Sequence, residues 1–500
     1  MSNAVRFGGS DLLEMRLPAW RSRFVLLFIF LAFAGLIARA AYLQIISNDF
    51  LQEQGAKRLE RTLPLQANRG SLLDRNKVVL AQSVPAQAVW YDARRIGEAK
   101  DDELRKLAEI LGLKSDRMIK QMRADNKRAF VYLDRQVDSD VAQKAKALKI
   151  PGLGFITESK RYYPQGETMA HLVGFTSIED KGQEGVELAF NAHLTGVDGE
   201  RNVIRDRLGN VIEDIRELRP PVNGQDLVLS VDADVQYIVL SELKKAVEFH
   251  KAKAAAAVVL DAKTGELLAM ANIPTYDPNS RGQLHGEKLR NRVFTDMFEP
   301  GSTLKPFGVA LAMNQGKVKA STKIDTGNGR MSIGPATITD TKPHGVMTVE
   351  EIIQKSSNVG TSKIVLEIER KDLWDFFNQL GFGQTPSIAF PGSVAGRVRP
   401  WNKWRPIEQA TMSYGHGISV SLIQLAQSYT IFANKGQFVP ASLVKRGPQD
   451  SVVSHQVVSA QVADSMLHML ELASGPEGTA PKAQVQGYRV AGKTGTAHKQ

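Results

Sequence analysis

A long apolar segment near the N-terminus constrains the fold more than any other part of the sequence. Residues 24–38 carry no charged side chain, and the apolar stretch continues to Ile46 with interruptions only at Arg39 and Gln44. A helix needs about 20 apolar residues to span a bilayer. Arginines at positions 6, 16, 21 and 23 precede the segment, and basic residues favour the cytoplasmic side. The sequence therefore predicts a cytoplasmic arm at 1–23, a transmembrane helix at 24–46 and an exported remainder.

The same segment has one alternative interpretation. Ala38-Arg39-Ala40 resembles the small-residue cleavage site of a secretory signal peptide. Bulky residues follow it directly, at Tyr42 and Leu43, and they favour a retained single-pass anchor over a cleaved one.

Residue composition argues against several kinds of site. The sequence has no cysteine, so disulfides, thiolate metal sites and a cysteine nucleophile are excluded together. The nine histidines are scattered, and no two have the spacing of a helical metal-binding pair. The net charge of +11 is spread along the chain and not concentrated in a basic run, which does not favour nucleic acid as a partner. We expect no metal, no cofactor and no nucleic-acid partner.

A turn-rich linker at 220–225, Pro-Pro-Val-Asn-Gly-Gln, divides the exported part into two regions. Residues 47–219 read as mixed α+β and show no cluster of acids, bases or nucleophiles, so we interpret them as a non-catalytic domain. Residues 226–500 begin with a strand, a helix and two strands, and continue with several helices and a late strand. This order predicts an α+β domain in which helices pack on an antiparallel sheet.

Local patterns refine the first of these regions. Apolar residues with helical spacing predict helices near 101–112 and 139–148. Alternating charged and β-branched residues at 201–217 predict an exposed hairpin, with its turn at Leu208-Gly209-Asn210. The charged residues of 69–76 are expected to form a local ion-pair network at the root of a domain.

Ser302 and Lys305 form the most informative pair in the sequence. They stand three residues apart, after Pro300-Gly301 and before an apolar helical pattern, so they lie on one face of the predicted helix. A serine is a poor nucleophile until a base takes its proton, and a neutral lysine can be that base. The same spacing recurs at two other places, Ser241 with Lys244 and Ser442 with Lys445, so the pair alone is weak evidence.

Two further motifs follow the Ser302 pair and single it out. The first is Ser356-Ser357-Asn358, and the second is Lys493-Thr494-Gly495-Thr496. Lys-Thr-Gly also occurs at 263–265, between two apolar runs, where we expect only a hairpin turn. The late copy is expected to lie on a strand.

Together the motifs suit acyl transfer. Ser302 can attack an acyl carbon, and Lys305 can take its proton if a second cation, Lys493, lowers its pKa. Ser356 can relay a proton to a leaving amine, and Asn358 can hold an amide of the substrate.

The last motif also offers substrate contacts. The segment Thr494-Gly495-Thr496, together with Lys493, suits a substrate carboxylate. The backbone N–H groups of Ser302 and Thr496 can form an oxyanion hole.

Three motifs of this kind, in this order, occur in β-lactamases and penicillin-binding proteins. The chain resembles the class B penicillin-binding proteins over nearly its whole length, and within them the division-specific group called penicillin-binding protein 3. The segments that carry the resemblance are the anchor and residues 69–76, 161–164, 184–187, 298–307, 355–360 and 414–417.

The resemblance implies an architecture and an activity. It implies an elongated, mixed α+β pedestal domain followed by a penicilloyl-serine transferase domain. The activity would be D,D-transpeptidation, which cross-links peptidoglycan stem peptides during septal wall synthesis and is inhibited by β-lactams. Implied partners are a membrane peptidoglycan glycosyltransferase and other division proteins. The protein would be anchored in the inner membrane with its catalytic domain in the periplasm.

The sequence leaves three other functions open: an elongation-specific transpeptidase of the same class, a β-lactam-binding sensor or scaffold without turnover, and a β-lactamase. One departure from the family concerns the C-terminus. The sequence ends at Gln500, four residues after Thr496, whereas in the family further strands and a helix follow the Lys-Thr-Gly strand. We therefore expect the C-terminal part of the transpeptidase domain to be missing.

Overall fold

The computed structural model describes residues 19–46, 60–124, 127–205, 211–447 and 449–497. Its helices, in chain order, are α1 Ala19–Ala41, α2 Asp101–Leu111, α3 Ser115–Ala124, α4 Ser139–Ala147, α5 Ala170–Val173, α6 Gly185–Ala189, α7 Asn191–Leu194, α8 Ala233–His250, α9 Arg292–Thr295, α10 Lys305–Asn314, α11 Val349–Lys355, α12 Asn358–Leu366, α13 Arg370–Gln379, α14 Pro406–Met412, α15 Leu422–Ser428, α16 Thr430–Ala433 and α17 Ala460–Ser474. Short 3₁₀ turns lie at Ile96–Glu98, Gly166–Thr168, Arg281–Gln283, Gly286–Leu289, Gly301–Leu304, Trp401–Lys403 and Pro481–Ala483.

The strands are short except in the first half of the chain. They are β1 Glu60–Leu65, β2 Leu72–Leu73, β3 Val79–Tyr91, β4 Val131–Asp138, β5 Leu153–Tyr162, β6 Gly199–Arg205, β7 Val211–Arg219, β8 Leu227–Val228, β9 Ala255–Leu260, β10 Leu267–Ile273, β11 Lys323–Asp325, β12 Arg330–Ile333, β13 Ala336–Thr339, β14 Val346–Thr348, β15 Gln437–Phe438 and β16 His455–Gln456. The chain divides into two compact units: Met1–Gln66 with Asp198–Val222, and Ala67–Val197 with Asn223–Gln500.

The first unit contains the predicted membrane helix. Helix α1 continues into a π-helical turn at Tyr42–Ile46, and the stretch Trp20–Gln44 is long and apolar enough to cross a membrane by length and composition. Its large side chains, such as Phe28 and Phe30, are exposed, as a lipid-facing helix requires. The predicted N-terminal apolar helix is confirmed. The helix begins at Ala19, five residues before the predicted start of the membrane segment at residue 24.

The same unit has a three-stranded antiparallel sheet in the order β1-β6-β7. Strands β6 and β7 form the hairpin that alternation at 201–217 predicts. The predicted turn, Leu208-Gly209-Asn210, lies outside the described residues.

The second unit begins with a sheet built around the long strand β3. Strands β4 and β5 pair with it in antiparallel fashion, β2 pairs with its start, and β8 joins β2 in parallel. Helices α2, α3 and α4 cover one face, and Leu104 and Leu107 of α2 are fully buried there. The helices predicted at 101–112 and 139–148 are confirmed as α2 and α4.

Three charged side chains are buried at the start of this unit. Arg69 Nε and Arg161 Nε each lie 2.7 Å from a different carboxylate oxygen of Glu187, and all three side chains are almost inaccessible. The predicted ion-pair network at 69–76 is therefore not local, because Arg69 pairs 118 residues away. Asp74 instead accepts backbone N–H groups, including that of Ala233.

The rest of the second unit is mainly helical. A large core centres on Phe307 of α10, with α11, α12, α13, α16 and α17 packed around it. Strands β9 and β10 form an antiparallel hairpin whose turn contains Lys263-Thr264-Gly265, with Gly265 at φ +72°. The early Lys-Thr-Gly copy is thus a turn, as predicted. The predicted α+β class is confirmed.

Candidate active site

The three predicted motifs meet at one cavity of about 330 Å³. Six predicted site residues line it: Ser302, Ser356, Asn358, Thr494, Gly495 and Thr496. The other two, Lys305 and Lys493, do not line it, but Lys305 contacts the lining residue Ser356 and the charge of Lys493 lowers the pKa of Lys305. The structure thus brings together segments that are up to 194 residues apart (Ser302 to Thr496).

Ser302 lies in the 3₁₀ turn Gly301–Leu304, which leads directly into α10. Gly301 has φ +57°, and a Cβ atom there would lie 2.3 Å from the carbonyl oxygen of Thr496. This close approach requires glycine and sets the segment of Thr496 against the turn that carries Ser302. The predicted oxyanion-hole residues, Ser302 and Thr496, are therefore neighbours across one backbone contact.

Lys305 is the first residue of α10, and its side chain is completely buried. Its ammonium nitrogen donates to the carbonyl oxygen of Ser356 and lies 3.0 Å from the Ser356 hydroxyl. Burial, reinforced by the positive charge of Lys493, holds the pKa of Lys305 well below its usual range, and Asp340 opposes this shift. A lysine whose pKa is lowered, with its amine against a serine hydroxyl, suits the role of a serine-activating base.

Ser356 offers both its carbonyl and its hydroxyl to Lys305 because of its backbone conformation. It caps the C-terminus of α11 with φ 62° and ψ 44°, the left-handed conformation that serine rarely adopts. Residues held in this region cluster at functional sites. The turn directs the carbonyl and the hydroxyl of one residue to the same Lys305 nitrogen.

Asp340, the residue directly after β13, holds the second motif, Ser356-Ser357-Asn358, in place. One carboxylate oxygen accepts the Ser357 hydroxyl at 2.6 Å, and the other accepts the N–H groups of Asn358 and Val359 at the start of α12. The Asn358 side-chain amide also donates to the carbonyl of Thr339 at 2.9 Å. These bonds satisfy the helix start and orient Asn358 toward the cavity.

The third motif differs from its predicted local structure. The described part of the segment, up to residue 497, has no strand hydrogen-bonding pattern, so the expected strand is wrong for these residues. Helix α17 and the loop after it hold the segment instead. The Gly492 N–H donates to Leu470, the Ser474 hydroxyl donates to Val490, and the Thr494 hydroxyl bonds that of Thr479 at 2.9 Å.

Lys493 is half-buried beside this segment, and burial lowers its pKa to about 8. Its ammonium donates to the Thr494 carbonyl at 3.0 Å. It therefore carries its positive charge at neutral pH, where that charge lowers the pKa of Lys305.

A loop at 414–417 contributes Tyr414 and His416 to the wall of the cavity. Glu299 holds it, because one carboxylate oxygen accepts the Gly417 N–H at 2.8 Å and the other lies 3.0 Å from His416 Nδ1. The Gly301 N–H donates to Gly415. The wall of the cavity is therefore joined to the turn that carries Ser302.

Sequence reasoning assigned no role to five other lining residues: Thr341, Lys355, Tyr414, His416 and Thr479. Lys355, Tyr414 and His416 stand in segments that carry the family resemblance, and this is the signal that could have found them. Thr341 and Thr479 have no such signal. Lys355 donates to the carbonyl of Glu477 at 2.7 Å and pairs with its carboxylate at 3.2 Å.

The comparison with known proteins identifies the family of the chain. A family model described as "Penicillin binding protein transpeptidase domain" matches residues 255–500, and one described as "Penicillin-binding Protein dimerisation domain" matches residues 64–229. "Probable peptidoglycan D,D-transpeptidase PenA" of Neisseria meningitidis is 42% identical over 96% of this chain and 82% of that protein. "Peptidoglycan D,D-transpeptidase FtsI" of Escherichia coli is 39% identical, again over 96% of this chain and 82% of that protein.

A solved structure supports the same fold. The crystal structure of penicillin-binding protein 3 from Mycobacterium tuberculosis, complexed with aztreonam, matches with a TM-score of 0.65 at 28% sequence identity. The match covers 87% of this chain and 82% of that one.

Proposed function

Because the chain belongs to the class B penicillin-binding proteins, and within them to the division-type peptidoglycan D,D-transpeptidases, we propose that Ser302 carries the acyl group while stem peptides of the septal wall are cross-linked. The observation that carries this proposal is the buried Lys305 amine, which lies 3.0 Å from the Ser356 hydroxyl next to the cavity that Ser302 lines. Its lowered pKa favours the neutral form of Lys305, which is the form that can act as a base.

In the first half-reaction, the Ser302 oxygen attacks the carbonyl carbon of the penultimate D-alanine, and Lys305 takes the hydroxyl proton. The N–H groups of Ser302 and Thr496 stabilise the oxyanion. The C–N bond to the terminal D-alanine then breaks, and the proton reaches the leaving nitrogen through Ser356. Thr494, Gly495, Thr496 and Lys493 hold the terminal carboxylate.

In the second half-reaction, an amine of a neighbouring stem attacks the acyl-serine. The amine gives up a proton through the same Lys305 and Ser356 pair, the C–O bond to Ser302 breaks, and the serine recovers its proton. Asn358 holds the amide of the donor stem throughout. A β-lactam opens on Ser302 in the same way, but its amine stays tethered and the acyl-enzyme persists.

The proposal extends to the organisation of the chain. We place residues 1–23 in the cytoplasm, the anchor 24–46 in the inner membrane, and the pedestal 47–219, the linker 220–225 and the transpeptidase domain 226–500 in the periplasm. The apolar helix and the arginines before it support this orientation. Family membership supports two kinds of partner, a membrane glycosyltransferase that supplies new strands and other division proteins.

Intact-mass analysis after exposure to a labelled penicillin tests the nucleophile. We expect one adduct on the wild type and none on Ser302→Ala. Ser241→Ala is a matched control, because Ser241 also belongs to a Ser-x-x-Lys pair but lies on α8, and it should keep the adduct. With lipid-linked peptidoglycan and a glycosyltransferase, the wild type should form dimeric stem peptides and Ser302→Ala should not. An adduct that survives in Ser302→Ala would refute the assignment.

A further inference from the structure

Thr303, one of the two residues between the proposed nucleophile and base, is anchored on two sides. Its hydroxyl donates to the Pro300 carbonyl at 2.6 Å, and its N–H donates to the same oxygen at 3.4 Å. Its own carbonyl accepts a hydrogen bond from the Tyr429 hydroxyl at 2.6 Å. Tyr429 follows α15 and is 126 residues away in sequence, so this bond ties the nucleophile turn to a distant helix.

The ring of Tyr429 is fixed by aromatic packing. Its centroid lies 5.1 Å from that of Phe307, edge to face, and 5.7 Å from that of Phe432. Phe307 is two residues after Lys305 on α10 and is completely buried. The Tyr429 hydroxyl therefore has little freedom to leave the Thr303 carbonyl.

Burial also keeps this hydroxyl protonated. Desolvation raises the pKa of Tyr429 far above its usual value. Tyr429 therefore remains a hydrogen-bond donor at any pH at which the enzyme works, and it is not a candidate base.

We propose that Tyr429 is a positioning residue for acylation: its hydroxyl holds the Thr303 carbonyl and thereby sets the relative position of Ser302 and Lys305. The inference rests on the proposed role of Ser302. Tyr429 does not line the cavity and contacts the backbone of the turn that carries Ser302, so we expect it to affect the rate of the chemical step and not binding. A displacement of a catalytic group by a fraction of an ångström is enough to slow an oriented reaction.

The test is the Tyr429→Phe variant of the full chain, which keeps the ring and removes only the hydroxyl. Stopped-flow acylation by a fluorescent penicillin separates the dissociation constant of the first complex from the acylation rate constant. We expect the rate constant to fall about three- to tenfold, the effect of losing one hydrogen bond, with the dissociation constant unchanged.

Tyr276→Phe is the matched control. The Tyr276 hydroxyl also donates to a backbone carbonyl, that of Ala170 at 2.9 Å, in a buried site outside the cavity. Loss of the Tyr276 hydroxyl should lower the melting temperature about as much as loss of the Tyr429 hydroxyl does. It should leave the acylation rate constant unchanged. An unchanged acylation rate in Tyr429→Phe, or an equal fall in both variants, would overturn the inference. A wild type that is not labelled on Ser302 would instead refute the proposed function.

Discussion

At the scale of single residues, the site depends on two lysines that titrate differently. Lys305 is fully buried, and both burial and the charge of Lys493 lower its pKa. Lys493 is less buried, and its pKa is about 8. The positive charge of Lys493 thus favours the neutral, proton-accepting form of Lys305.

Replacement of Lys493 by methionine should move the acid limb of acylation to higher pH. Without the Lys493 charge, protonated Lys305 is less disfavoured, so its pKa rises and a smaller fraction is neutral at any given pH. We expect a shift of about one pH unit. The measurement is the acylation rate constant against pH at saturating labelled penicillin.

Lys355→Met is the control for this experiment, because Lys355 also lines the cavity but is not among the groups that shift the pKa of Lys305. Its acid limb should stay where the wild type has it. An acid limb that is identical in Lys493→Met and the wild type would contradict the proposed electrostatic role.

How much of the site can be predicted from the sequence depends on how far apart in the chain the contacting residues are. Ser302 and Lys305 lie within one helical turn of each other, so their proximity is predictable from their spacing alone. Asp340 holds the Ser356-Ser357-Asn358 motif through a residue 17 positions away, and Glu299 holds the 414–417 loop through a residue 118 positions away. The sequence around an acidic residue does not show which distant groups its carboxylate will bind, and only the fold reveals them.

At the scale of elements, the two helices that carry the site approach each other unusually closely. A Cβ atom at Gly308 of α10 would lie 2.7 Å from the Cγ2 atom of Val365 on α12. Val365 is fully buried and has no room to withdraw. The glycine therefore lets the helix of Lys305 pack against the helix of Asn358.

Gly308→Ala should destabilise the protein although alanine favours helices. The gain in helix propensity is about 1 kcal/mol, but overpacking a filled core costs about 1–3 kcal/mol. We expect a lower melting temperature. The added change Val365→Ala makes room for the new methyl, so the double variant should lose about 1 kcal/mol less than the sum of the single losses. Strict additivity would show that the two helices do not meet at these residues.

Element prediction succeeded where a local pattern decides, as in two helices and the β6–β7 hairpin, and failed at the segment of Lys493. Helices α2 and α4 follow from apolar spacing within about ten residues. A strand needs a neighbour for its hydrogen bonds, and the segment of Lys493 is held by side chains and loops among the described residues. Its sequence alone does not distinguish the two arrangements.

At the scale of the whole molecule, the buried group Arg69, Arg161 and Glu187 joins three distant segments of the second unit. Glu187→Gln would leave two buried guanidinium groups without their shared carboxylate. We expect a loss of about 3–5 kcal/mol in stability and a clear fall in melting temperature.

Glu179→Gln serves as the comparison for this prediction. The Glu179 ion pair with Arg135 spans 3.4 Å, and the Glu179 side chain is 63% exposed. Its loss should change stability by less than about 0.5 kcal/mol. Equal melting temperatures for the two variants would show that the buried network contributes little to the fold.

The left-handed backbone at Ser356 restricts how this protein can evolve under antibiotic selection. Threonine would keep the hydroxyl, but its branched Cβ is disfavoured near φ 62°. Glycine and asparagine tolerate that conformation, yet neither offers a hydroxyl to Lys305. Each of these exchanges at Ser356 therefore loses either the turn or the hydroxyl beside Lys305. Heritable escape from β-lactams is accordingly expected at rim positions with ordinary backbone geometry, such as Thr479, before it is expected here.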